Sequence, residues 1–334
     1  MPETEFSPFD QRLIHALQIA PRATWAGLAP VVGADPTTLA RRWTALVDAG
    51  IAWSTGYRID VPADRRAVVE IDIHPGQFPK VKSLLCELPQ AATVDITASG
   101  SSAVVTVCES DRSSLIEFLL STLPGLPDVR DIRNHLLTAQ LRSADQWTLR
   151  ALDQDEIDRI PQERPPRVRA PLVVDPALES CIVEELGRDG RTPQTAIASA
   201  AGVSPQRVQD AIAVLLHRQR FRLRTDVVSA YSGWPVHVWY FVDVPAGQLG
   251  QLSKSLAHLP EIRFAATSAG SHNLVIDVWL RSLSAVHQLE AKIQSMLRAS
   301  MSVRRQVVLR TPKRLGHFFD DSERHTGEYI PMIQ

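Results

Sequence analysis

An α+β fold, two tandem units that each place a winged helix-turn-helix before a ferredoxin-like βαββαβ module, is predicted by three observations on the 334-residue sequence. A short amphipathic helix opens behind the turn Gly33-Ala34-Asp35-Pro36. Strand, helix, strand, strand, helix, strand follow it, which is the ferredoxin-like order. Both patterns then return in the second half, where Gly202-Val203-Ser204-Pro205 repeats the turn. The segments implied are 1–62 and 175–232 for the two helix-turn-helix domains, 63–142 and 233–312 for the two ferredoxin-like domains, 143–174 for a linker and 313–334 for a C-terminal tail.

In the first head, Leu13, Ile14 and Leu17 share one face of a helix over residues 10–19 that Pro21 ends. Thr24 caps a second short helix, WAGLAPVV, in spite of Pro30. Asp35 caps the third, with Pro36 at its first position, where a missing N–H costs nothing. Gly33 and Gly50 suit the left-handed residue that ends a helix. Leu39, Trp43, Leu46 and Val47 point inward, and Thr37, Thr38, Arg41 and Arg42 point outward. Hydroxyls and guanidinium groups there can reach phosphates and base edges; the plainer alternative is a solvated helix face. Residues 56–59 are short enough for a small hairpin or wing carrying Arg58.

Strands are then expected over 67–74, 94–99, 103–108 and 129–141, with helices over 77–88 and from Asp111 to a stop at Pro124-Gly125. A charged, proline-rich spacer around PQERPPRVRAP separates the halves. The second half repeats the plan with helices marked by Leu178, Ile182 and Leu186, by 195–201, and by Val208, Ile212, Leu215 and Leu216. Strands over 237–244, 264–268, 274–280 and 303–310 and helices over 249–259 and 285–297 complete it.

Composition narrows the function. Hydrophobic residues make up 44% and charged residues 22%, as in an ordinary globular protein. Lys and Arg number 36 against 37 Asp and Glu, so no bulk positive field draws the chain to nucleic acid, and any DNA contact must be local. No basic-then-apolar leader and no run of about 18 apolar residues is present, so a cytoplasmic protein without a membrane partner is expected. Cys86, Cys108 and Cys181 lie far apart in apolar patterns and read as buried thiols. No Ser-His-Asp set, P-loop or dinucleotide fingerprint is visible, and neither catalysis, a cofactor nor a metal is expected.

The segments Phe9-Asp10-x-x-Leu13-Ile14-x-x-Leu17-Gln18, Val32-Gly33-x-Asp35-Pro36-x-x-Leu39-x-Arg41-Arg42 and Leu123-Pro124-Gly125-x-x-Asp128-Val129, in this order and twice over, resemble the Lrp/AsnC (feast/famine) transcriptional regulators in a fused tandem form. The resemblance implies a sequence-specific regulator that binds double-stranded DNA, forms homo-oligomers of two or more chains, and takes a small-molecule effector, commonly an amino acid, between its ferredoxin-like (RAM) domains. It also implies that one chain builds what the family builds from two subunits.

On that reading Thr37, Thr38, Arg41, Arg42 and Arg58 contact DNA in the first head, and the second head offers Gln206 and Arg207 in the places of Thr37 and Thr38, with Arg220 and Arg222 from its wing. The second helix places Asp210 and Ala211 where Arg41 and Arg42 stand, so it is degenerate. Arg218, Arg220, Arg222 and Arg224 alternate as a basic row suited to the DNA backbone, or to the protection of an edge strand. The effector is expected at Ser99, Gly100 and Ser101 and at Gly270, Ser271, His272 and Asn273, although neither turn carries an aspartate for an ammonium group, and Gly and Ser also suit a plain hairpin. Two other functions fit the same architecture. One is an enzyme resembling siroheme decarboxylases, which use histidines to hold and protonate a tetrapyrrole's carboxylates; the 10 histidines here are scattered, with only His272-Asn273 approaching such a cluster. The other is a DNA-free sensor or assembly protein of paired RAM sheets.

Overall fold

The computed structural model describes residues 6–98, 102–162, 165–167, 173–256, 258–296 and 302–333. Contacts divide the chain into two units: Met1–Asp60 with Thr148–Val228, and Val61–Trp147 with Ser229–Gln334. Each unit draws on both halves of the sequence. The fold is α+β, with two copies of a helix-turn-helix head and two of a ferredoxin-like module.

In the first unit, helices α1 (Pro8–Ile19), α2 (Trp25–Val32) and α3 (Pro36–Asp48) form one head. Asp35 caps α3 by accepting from the Thr38 N–H at 3.0 Å, and Gly33 takes the left-handed φ of 85° that ends α2. Leu13, Ile14, Leu17, Leu28, Leu39 and Leu46 are buried, as their spacing predicts. Strand β1 (Ala52–Arg58) follows this head. Between the heads lies the short helix α6 (Gln154–Asp158), and the second head comprises α7 (Pro176–Arg188), α8 (Gln194–Ala201), α9 (Pro205–His217) and strand β6 (Phe221–Val227).

The wing departs from expectation. β1 does not fold on itself as a hairpin; it pairs antiparallel with β6 from Ala52↔Val227 to Arg58↔Phe221. Each strand also leans on the other head's first helix. The Thr55 hydroxyl donates to the Gly187 carbonyl at 2.7 Å, and the Thr225 hydroxyl donates to the Leu17 carbonyl at 3.0 Å. Gly56 is what admits Phe221, because a Cβ there would lie 2.2 Å from the Phe221 Cζ. A strand of seven residues with five buried gains more from a partner strand than from doubling back in four.

In the second unit, β2 (Arg66–Ile73), α4 (Phe78–Glu87), β3 (Ala91–Thr97), β4 (Ser102–Cys108), α5 (Arg112–Glu117) and β5 (Val129–Arg142) form the first ferredoxin-like module. β7 (Val236–Asp243), α10 (Ala246–Leu256), β8 (Ile262–Ala269), β9 (Leu274–Leu280), α11 (Ala285–Ser295) and β10 (Ser302–Arg314) form the second. The strands run in the order β10, β3, β4, β2, β5, β8, β9, β7, and β7 pairs back onto β10. The sheet therefore closes on itself, with the long last strands β5 and β10 each bridging both modules.

Alternation assigns the faces. Ala67, Val69 and Ile71 pack beneath the helices of the first module, and Val238, Tyr240 and Val242 beneath those of the second. Val68, Val104, Leu137, Trp239, Phe241, Ala266 and Val275 face inward and meet each other. Residues expected as a tail continue the sheet: β10 runs to Arg314, and β11 (His317–Phe319) and β12 (His325–Tyr329) extend it as a hairpin.

Candidate active-site cleft and interface residues

Beside the inner apolar cluster lies a cleft of about 330 Å³, built from β7, β10 and the turn between β11 and β12. His237, the second residue of β7, points into it and is 7% exposed. Its Nε2 lies 2.7 Å from Asp277 Oδ1 on β9, close but poorly aligned for a hydrogen bond. On its other side, Nδ1 is 3.9 Å from Asp95 Oδ1. Asp95 is fixed in turn: it accepts from Trp239 Nε1 at 2.8 Å and from the Thr311 hydroxyl at 2.5 Å.

Two carboxyls near this histidine are pushed in opposite directions. Burial opposes the ionisation of Asp277, but His237, Arg263 and Arg314 together hold its carboxyl below the ordinary carboxylate value. Arg263 is itself stacked 3.8 Å over the Trp279 ring. Glu323, on the β11–β12 turn, is raised above its ordinary value because burial outweighs the pull of Arg314, His237 and Arg310. Two carboxyls near one imidazole with their acidities pushed apart is the arrangement that divides acid and base roles. At the mouth, Arg310 is paired with Asp321 at 2.7 Å, beside the exposed Leu309.

None of these residues was singled out from sequence. His237 reads as an ordinary strand position, and Glu323 falls in the supposed tail. The extended runs HFF and HTGEY on either side of DDSER are the hairpin signal that points to the latter.

A second polar cluster lies elsewhere in the same unit. His135 Nε2 is 3.2 Å from Glu70 Oε1, Arg304 and Gln306 approach the other carboxylate oxygen, and the His135 ring lies 5.9 Å from that of His272. His272 is thus the turn residue that reaches titratable neighbours, and burial, then the charge of His135, lowers its pKa. The Ser271 hydroxyl contacts His272 Nδ1 at 3.1 Å, and Gly270 lies against the Asn134 carbonyl. Asn273 is used by the fold: its amide both accepts from and donates to the backbone of Val244, at 3.0 and 2.6 Å. Ser99, Gly100 and Ser101 lie outside the described residues.

On α3, Thr37 and Arg41 are exposed. Thr38 turns its hydroxyl to Asp35, at 2.5 Å. Arg42 does not extend from the helix face. Its fork grips Asp10 through Nε at 2.5 Å and Nη2 at 2.6 Å, because Asp10 is only 1% exposed and needs a cation.

Arg58 pairs with Asp60 at 2.9 Å, and Arg220 joins Asp60 and Glu179 at 3.1 and 2.9 Å, so both arginines belong to one ion-pair network across the β1–β6 ribbon. Arg222 stands opposite Tyr57 in that ribbon. Arg224 is buried and paired with Asp226 at 2.8 Å, which breaks the expected basic row. On α9, Arg207 is exposed, while Gln206 donates to Asp210 and Asp210 is paired with Arg167.

Fold and cleft together describe an α+β protein with duplicated helix-turn-helix heads, a closed sheet, and a His-carboxyl cleft in that sheet. The chain is similar over 92% of its length to the siroheme decarboxylase NirDL in complex with an iron-uroporphyrin III analogue, at 13% identity and a TM-score of 0.56, covering 93% of that chain. A second structure of NirDL gives 14% identity over the same shares, with a TM-score of 0.52. AsnC of E. coli is similar over 42% of this chain and 95% of its own, at 26% identity and a TM-score of 0.38.

No protein-family model and no curated protein sequence matches. At these identities the NirDL likeness concerns the fold. It corrects one expectation: the solved structures above that match along nearly the whole chain are of an enzyme, so the reading of this chain as a non-enzyme is withdrawn. Among the described residues, no helix is long and apolar enough to cross a membrane.

Proposed function

We propose that the chain is an acid–base enzyme that removes CO2 from a carboxylated substrate, with a tetrapyrrole bearing carboxylate arms as the substrate class to test. The observation that carries the proposal is that His237 and Glu323 line one cleft, with Asp277 Oδ1 2.7 Å behind the imidazole, and that the Asp277 carboxyl is held below its ordinary value while burial pushes that of Glu323 above its own. The NirDL likeness supplies the reaction class, and the cleft supplies the residues.

In such a reaction the bond from the substrate carbon to its carboxylate breaks. The electron pair stays on that carbon, CO2 leaves, and the carbon takes a proton. His237, or Glu323 beside it, holds that proton where the cleft is deepest, while Asp277 stabilises the imidazolium. Asp95 acts through His237, fixing the ring from its other side. A cleft of about 330 Å³ takes one carboxylate arm, and Leu309 at its mouth offers an apolar surface to the rest of the molecule. Purified protein incubated with siroheme or iron-uroporphyrin III should release CO2; no release from either would refute the proposal.

A second reading concerns the first unit and is compatible with the enzyme. Thr37 and Arg41 on α3, with Arg207 on α9, are exposed where helix-turn-helix proteins meet DNA, and these few groups support contact with double-stranded DNA.

A further inference from the structure

We infer that a second carboxylate of the substrate, one that the reaction leaves in place, binds Arg310 by displacing Asp321; this rests on the decarboxylation reading above. Three observations support the exchange. The Arg310–Asp321 pair spans 2.7 Å at the mouth of the cleft with side chains 51% and 81% exposed, so it is screened by water and contributes little to the fold.

The turn that carries Asp321 is held without that pair. Asp320 Oδ1 accepts from the backbone N–H groups of Ser322 and Arg324 at 2.8 and 2.9 Å, the Asp320 N–H donates to the Arg324 carbonyl at 2.9 Å, and the Arg324 guanidinium donates to the Tyr231 hydroxyl at 2.9 Å. Releasing Asp321 therefore leaves Glu323 in place.

The third observation is the order of groups with depth. Arg310 stands at the mouth, whereas His237 is 7% exposed. Loss of CO2 drains electrons from a carboxylate into the substrate carbon, and a guanidinium gripping that carboxylate would stabilise the reactant and slow its departure. The departing group accordingly belongs with His237 and Glu323, and the carboxylate on Arg310 is one that survives. The cleft thus selects substrates with at least two carboxylates and uses Asp321 as an internal stand-in for the second.

The test compares the full chain with Arg310→Gln and Asp321→Asn. Binding of tricarballylate, a small tricarboxylate, is measured by calorimetry, with acetate as the monocarboxylate control. Asp321→Asn should bind tricarballylate several-fold more tightly than the parent and Arg310→Gln roughly tenfold more weakly, as loss of one charge-assisted contact implies. Acetate, which can fill only one of the two positions, should bind each of the three far more weakly than tricarballylate binds the parent. Equal binding of tricarballylate by all three, or none by any, overturns the exchange whether or not CO2 is released. With iron-uroporphyrin III, the same substitutions should move KM in these directions and leave kcat nearly constant. Calorimetry that shows the exchange in a protein releasing no CO2 would reject the reaction and keep the carboxylate site.

Discussion

Arg42 and Arg41 are neighbours on α3 and look interchangeable in sequence, yet they should respond to alanine in opposite ways. Arg42 holds Asp10 through two contacts of 2.5 and 2.6 Å, and the Asp10 side chain is 2% exposed. Removing the guanidinium leaves a buried carboxylate with only the Ser7 hydroxyl, at 2.7 Å, as a side-chain donor. Breaking a fully buried pair costs roughly 3 to 5 kcal/mol; because the Arg42 side chain is 41% exposed and water can enter, about 2 kcal/mol is expected here.

Arg41 is exposed, so its replacement should change stability by less than about 0.5 kcal/mol. Urea unfolding at neutral pH, followed by fluorescence, measures both. Burial opposes ionisation of Asp10, but Arg42 and Ser7 prevail and lower its pKa; the pair's contribution is therefore present in full above the ordinary value of 3.8 and fades as pH falls below it. If DNA is bound, Arg41→Ala should weaken it with stability intact. Equal stability of Arg42→Ala and Arg41→Ala would refute the structural role of Arg42.

Two further outcomes test the fold. Lys313 is fully buried and donates to the Leu88 carbonyl at 2.8 Å, and burial lowers its pKa to about 8 from 10.5. The unfolded chain binds this proton more strongly, so stability should rise between pH 8 and 10.5 and fall back as pH drops to 8, and Lys313→Met should remove that slope in thermal unfolding. Gly56→Ala should cost about 1 to 3 kcal/mol through the clash with Phe221, read as a lower urea midpoint, because the β1–β6 ribbon has no room for a methyl group.

The duplicated fold was legible because its signals are local. Asp35-Pro36 and Ser204-Pro205 mark helix starts, Gly33 and Gly202 mark helix ends, and both strand orders follow from apolar period. What joins the halves was not legible. β1 and β6 meet across about half of the chain, and the pairings between the modules, β5–β8 and β10–β3, depend on two long strands whose partners no local pattern names. Residues facing water and residues facing a partner strand look alike in sequence; Arg42, Arg58 and Arg224 all read as available cations and are all paired in the structure. The cleft was missed for a related reason. His237, Asp277 and Glu323 come from β7, β9 and the β11–β12 turn, far apart in sequence, and the pairing of β7 with β9 and β10 brings them together. The turn from Gly270 to Asn273 was legible as a turn because a glycine there is a local signal; its contacts were not, Asn273 holding the backbone of Val244.

The most direct test of the account is the rate at which iron-uroporphyrin III loses CO2, followed by mass spectrometry, in the parent chain and in His237→Gln. The account predicts products lacking carboxyl groups from the parent and a rate lower by roughly a hundredfold or more in the variant, the usual contribution of a positioned proton donor. A parent that forms no such product, or a His237→Gln chain that forms it as fast, would contradict the assignment of this cleft as the catalytic centre.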